Sequence, residues 1–129
     1  MRDKNNVGKV YRGVTKYIDK ETKHQRNYVI VSDKNDKVSV AKLKSIKKFD
    51  SQGRNADKAL VEINSARYGL PKRTGVDFQV FSQNRMSNKP LSLSDKKVFP
   101  ENNERFSLGS RDLHRSLLHT GRKMKEKKR

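Results

Sequence analysis

The sequence predicts a mainly β protein of the α+β kind, a small and bent antiparallel sheet followed by one C-terminal helix. Three observations predict it. Short apolar runs recur through the first two-thirds of the chain, clusters of turn-forming residues separate them, and leucines at helical spacing occur near the C-terminus. The 129 residues suit a single domain over 1–121, with 122–129 as a basic tail.

Taken in order, "GKVYRGVTKYI" alternates Val10, Val14 and Ile18, with Tyr11 and Tyr17 out of phase, which predicts a strand that bends. "YVIV" at 28–31 is too uniformly apolar for a half-exposed strand and too short for a helix, so it is placed at the centre of the sheet. "SDKNDK" supplies turn residues, and Val38, Val40 and Leu43 resume the pattern, making a hairpin of 28–45. A charged connection leads to "ALVEI" at 59–63, a third compact strand in which Glu62 points outward. After a loop around Gly69, Pro71 and Gly75 comes "VDFQVF" at 76–81, whose alternation Phe81 breaks. Residues 82–105 read as irregular, with one short strand near Leu91 and a turn at Pro100. Ser110 is the expected N-cap of a helix carrying Leu113, Leu117 and Leu118, with Gly121 as its stop and a disordered tail beyond.

Apolar residues make up 31% of the chain, against roughly 45–50% in ordinary globular domains, so the core is small and association between copies is expected. Thirty-two Lys and Arg against 14 Asp and Glu leave a net charge of +18, which calls for a polyanionic partner. The absence of cysteine excludes disulfides and thiolate chemistry and suits a reducing compartment, and no apolar stretch reaches the length of a membrane span; the chain is read as cytoplasmic, with no membrane partner.

The sequence contains no glycine-rich phosphate loop, nucleophile elbow or dense carboxylate cluster, so neither a metal site nor a cofactor is expected. His114 and His119 lie about 140° apart around a helix and suit structural or solvent-facing roles. His24 differs, because it stands beside Arg26 at the mouth of the central strand.

Four blocks, taken together, carry a resemblance. "GKVY" at 8–11, "RNYVIVSD" at 26–33, "VAKLKS" at 40–45 and "VEINSARYGL" at 61–70 followed by "KRTG" resemble, in order and spacing, the blocks of the MazF/PemK endoribonuclease toxins of bacterial toxin–antitoxin systems. The likeness covers residues 8–80. It implies an SH3-like barrel of MazF/PemK type, a homodimer taking single-stranded RNA, and an acidic antitoxin protein as a second partner. It also implies a metal-independent reaction in which the ribose 2′-OH attacks the adjacent phosphorus, leaving a cyclic phosphate and a 5′-OH.

Carried over by position, Arg26 falls on the family's catalytic Arg. Lys44 stands where a catalytic Thr is usual, with Ser45 next to it, and Asn27 stands in place of Pro. The implied catalytic set is therefore Arg26, Lys44 and Ser45, with Lys20, Lys23, His24, Lys42, Lys47 and Thr74 as RNA contacts. Arginine suits the task, since its planar guanidinium can hold two phosphoryl oxygens while negative charge grows on them. Ser45 lies one residue out of phase with Lys44, and in a regular strand that turns its hydroxyl to the opposite face unless a bulge intervenes. Two other readings stay open at this level: a non-catalytic RNA, DNA or ribosome binder using Lys42, Lys44, Lys47 and Lys48, and a toxin acting on an enzyme rather than on RNA.

Overall fold

The structure, a computed structural model, describes residues 6–20, 24–100 and 104–127. The elements are β1 (Lys9–Val14), α1 (Thr15–Ile18), β2 (Gln25–Lys34), β3 (Lys37–Ser45), β4 (Leu60–Glu62), a 3₁₀ turn (Ser65–Tyr68), β5 (Thr74–Phe81), β6 (Gln83–Asn84), β7 (Lys89–Pro90), β8 (Glu104–Ser107) and α2 (Ser110–Lys127). Six strands form one sheet in the order β4-β5-β3-β2-β1-β8, and every pairing is antiparallel. The fold is therefore mainly β with a C-terminal helix.

The β2–β3 hairpin is the middle of the sheet, as the YVIV run predicts. Its two-residue turn places Asn35 and Asp36 at φ +52° and +65°, the left-handed pair that a hairpin with right-handed strand twist requires and that Asn and Asp tolerate. Both faces of this hairpin are covered, which explains why its apolar run is continuous. Tyr28 and Ile30 pack with Ile18, Val40, Phe81, Leu91, Val98 and Phe99 on one face; Val29 packs with Val10, Ala41, Leu43, Ile63, Val76 and Leu108 on the other, with Leu113 of α2 against it.

Irregular register bends the sheet. The β2–β3 ladder slips between Ile30 and Ser32, and the β3–β5 ladder goes from Ala41↔Val80 to Leu43↔Val76. Two steps on β3 thus face four on β5, and the surplus residues arch around Asp77, whose carboxylate accepts the Gln79 N–H at 3.0 Å. This arch returns Phe81 to the core, where it is 3% exposed, and accounts for the alternation that breaks there.

Several expectations are corrected. The sheet is open: β4 and β8 are its edges, and it does not close as a barrel. Side chains bridge the two edges where a ladder would be needed. Phe106 of β8 stacks on Tyr68 of the 3₁₀ turn at 4.9 Å, and the Tyr68 hydroxyl accepts the Gly109 N–H and donates to Asp112 at 2.6 Å. Burial and the Asp112 hydrogen bond push the Tyr68 hydroxyl above its ordinary pKa.

β1 stops at Val14, because the chain turns through α1, closed by the Asp19 N–H donating to the Thr15 carbonyl, to bury Ile18. Residues 82–100 are packed, with Leu91, Val98 and Phe99 fully buried; these anchors have no period, so polar neighbours hide them in the sequence. α2 runs through Gly121 to Lys127 instead of stopping at that glycine, since one interior glycine costs only about 1 kcal/mol among good helix formers. Ser110 is the first residue of that helix, and Leu118 is 49% exposed, leaving Asp112, Leu113 and Ser116 on the buried seam.

Gly75 sits where β4 meets β5: a Cβ there would lie 2.9 Å from the Leu60 Cβ and 3.2 Å from the Val61 carbonyl oxygen. Gly75→Ala should push the β4 edge outward and cost about 1–3 kcal/mol, read as a lower urea midpoint at unchanged m-value. An unchanged midpoint would show that β4 moves freely.

Candidate nucleic-acid interface

The open end of the β2–β3 hairpin collects the charge. Tyr28 faces Lys42 in the last pair of the β2–β3 ladder, and Arg26 and Lys44, each two residues beyond that pair on its own strand, border one cleft. Lys44 faces Gly75, which faces Glu62, so one row crosses β3, β5 and β4. A cleft of about 510 Å³ opens on this end, lined by Arg26, Lys44, Ser45, Lys47 and Lys48, with Asp57 as its acidic member. A second cleft of about 240 Å³ adjoins it, lined by Arg12, Arg26, Asn27, Ser45, Lys72 and Thr74 among others. Arg26 and Ser45 border both.

The half-buried Arg26 guanidinium lies 3.4 Å from the His24 imidazole, the nearest histidine to the clefts. The Lys44 ammonium lies 3.3 Å from the Asp77 carboxylate offered by the β5 arch, with its side chain still 39% exposed. Ser45 is exposed and paired with Thr74, whose hydroxyl donates to the Lys72 carbonyl at 2.9 Å and whose N–H donates to the Ser65 hydroxyl. Thr74 thus shapes the second cleft through its backbone turn.

The loop 46–58 that carries Lys47 and Lys48 is internally braced. The Asp50 carboxylate accepts the N–H groups of Gln52 and Arg54 and the Arg54 side chain, each at 2.9 Å, and these bonds, the Arg54 N–H first, hold its carboxyl below the usual pKa. Arg73 clamps the loop to β4: its guanidinium donates twice to Glu62, at 2.7 and 2.8 Å, and once to the Gly53 carbonyl at 2.6 Å. The two sides of the cleft are therefore held in a fixed relation.

Of the residues singled out from the sequence, Arg26, Lys44, Ser45, Lys47 and Thr74 come together here, with His24 beside them. Lys42 does not. Its side chain is 4% exposed and its ammonium lies 2.9 Å from Asp19, whose side chain is 5% exposed, with the Phe81 ring 5.8 Å away. It is a buried structural cation, because the face that carries Tyr28 is covered by α1 and the 82–100 segment. Lys20 lies in a separate hollow of about 270 Å³ with Phe81 and Arg85, and Lys23 falls outside the described residues.

Arg12, Lys72 and Arg73 were not anticipated. Arg12 joins the site because it pairs with Asn27 in the β1–β2 register, a relation that alternation suggests once the pairing is known. Among the described residues, no three His, Asp or Glu side chains are grouped as metal ligands, and no described helix is long and apolar enough to cross a membrane. No protein-family model matches the chain, and no curated protein matches it.

Proposed function

We propose that this chain is a ribonuclease toxin of MazF/PemK-like type, binding single-stranded RNA in the paired clefts and cleaving it at Arg26. The observation that carries the reading is the position of Arg26, on rigid strands at the junction of two basic clefts, with Lys44, Lys47 and Lys48 on one side and Arg12 and Lys72 on the other. In this reading the guanidinium holds two oxygens of the scissile phosphate. The 2′-oxygen bonds to phosphorus as its proton passes to the His24 imidazole beside the guanidinium, and the 5′-oxygen departs and takes a proton from solvent. Cyclic phosphate and 5′-OH ends result. The same reading places the open, bulged sheet among SH3-like relatives, lays an acidic antitoxin segment in the clefts, and has two copies associate, which light scattering at high micromolar concentration should show as a dimer mass.

One observation favours a second reading, a non-catalytic RNA binder: Asp77 engages the Lys44 ammonium, and Ser45 is one step out of phase with it. Incubation of the full chain with a mixed RNA pool in chelator separates the two. Fragments ending in cyclic phosphate support the nuclease, whereas intact RNA bound tightly and released by salt selects the binder. With four to six phosphates engaged, the log–log salt slope should be about −3 to −4, and a flat response would remove both readings.

A further inference from the structure

Three large apolar side chains are exposed among the described residues, Phe49, Met86 and Leu118, and one of them stands beside the basic clefts. Phe49 is 45% exposed and follows Lys47 and Lys48, which line the larger cleft. The Arg73 guanidinium lies over its ring, 4.6 Å from the centroid. Arg73 precedes Thr74, a wall of the smaller cleft, and its carbonyl accepts the Ile46 N–H at 2.8 Å, so the stack is carried on segments that run on into the walls of both clefts.

We infer that Phe49, backed by Arg73, is a stacking platform for one base of the single-stranded RNA whose phosphates lie in the clefts. The inference rests on the RNA-binding part of the proposed function and not on cleavage. One face of the ring is occupied by a cation, and much of the ring remains open to solvent. The cation itself cannot swing away, because Glu62 and the Gly53 carbonyl hold three of its N–H groups, and a bridge pairs Phe49 with Asn55 inside the loop that Asp50 braces. A phenyl ring held in this way loses little freedom when a base settles on it. Lysines next to it in the chain would hold the flanking phosphates, and this combination of a positive groove with an aromatic surface is how single strands are held with little regard to sequence. The row from Lys44 across β5 to Glu62 spans two strand spacings, about 10 Å, so the platform takes a base some way along the RNA from the phosphate held at the Arg26 and Lys44 end.

The competing role for Phe49 is to cover the Arg73–Glu62 pair, which would affect stability and leave RNA affinity alone. Fluorescence anisotropy with a labelled 2′-O-methyl oligonucleotide, which cannot be cleaved by 2′ attack, distinguishes the two. Phe49→Ala should weaken binding about 5- to 150-fold, the range for loss of one base–aromatic stack, with an unchanged salt slope because no charge is removed. Phe49→Trp should bind as well as the parent, and its indole fluorescence should be quenched on binding. Phe49→Leu keeps an apolar cover over Arg73 without an aromatic ring and should behave like the alanine variant. A set of oligonucleotides each lacking one base should show a single position at which the parent loses affinity and Phe49→Ala does not. Parent-like binding by Phe49→Leu would overturn the platform and leave the RNA-binding reading standing, whereas no binding by the parent itself would overturn both.

Discussion

Asp19→Ala should lower the stability of the fold by about 3–5 kcal/mol, a large share of the roughly 5–15 kcal/mol that domains possess. The cause is the partner left behind. Lys42 projects from the central strand β3 into the face packed by Tyr28 and Phe81, and with Asp19 gone its ammonium would stay in a site where it is 4% exposed. Asp19 is also the residue that ends α1, its N–H bonded to the Thr15 carbonyl, so the ion pair ties α1 to the middle of the sheet. Lys42→Met alone should cost a similar amount by removing the ammonium that this buried carboxylate engages. The double variant Asp19→Leu, Lys42→Met should recover most of the loss or exceed the parent by about 1–4 kcal/mol, because two desolvated charges are replaced by apolar packing. Urea unfolding of the parent, Asp19→Leu, Lys42→Met and the double variant forms a double-mutant cycle, with Asp19→Ala measured beside it. A cost below about 1 kcal/mol for either single change would mean that water reaches the pair.

Arg26→Ala should lower single-turnover cleavage of RNA about 10²–10³-fold while changing RNA affinity far less, the pattern of an interaction that strengthens as charge develops on the phosphoryl oxygens. Affinity should survive because Lys47, Lys48, Arg12 and Lys72 remain around the same clefts. Arg26→Lys should recover only part of the rate, since an ammonium cannot bind two oxygens in one plane. Lys44→Thr then asks what Lys44 does. If its ion pair with Asp77 withholds it from the phosphate, the exchange should raise cleavage; if the ammonium stabilises the phosphorane, the exchange should lower it. End-group analysis for cyclic phosphate reads all of these reactions, and equal cleavage by the parent and Arg26→Ala would reject Arg26 as the catalytic residue.

The legible parts of this protein were those governed by neighbours in the chain. YVIV announced a buried central strand, SDKNDK a tight hairpin, and Leu113 with Leu117 a helix, because turn chemistry and apolar period act over a few residues. The hairpin alone was enough to bring the start of its first strand toward the end of its second, and Arg26, Lys44 and Ser45 do border one cleft. Leu91, Val98 and Phe99 were opaque for the converse reason: three anchors in a polar segment gain their meaning from the sheet face they cover.

Charge shows the same division most clearly. Composition settles that the chain is strongly basic, at +18, and on that ground a polyanionic partner is proposed. It does not settle which lysines meet that partner, since Lys42 and Lys44 differ by one step of a strand face and look alike in sequence. Lys42 lies under the turn that places Asp19 against it, while Lys44, two residues on, lies beyond that cover and opens to the cleft. Whether a charged side chain is buried and paired or free to meet a phosphate depends on what packs over it from elsewhere in the chain, and that is a property of the assembled layers, which no local pattern encodes.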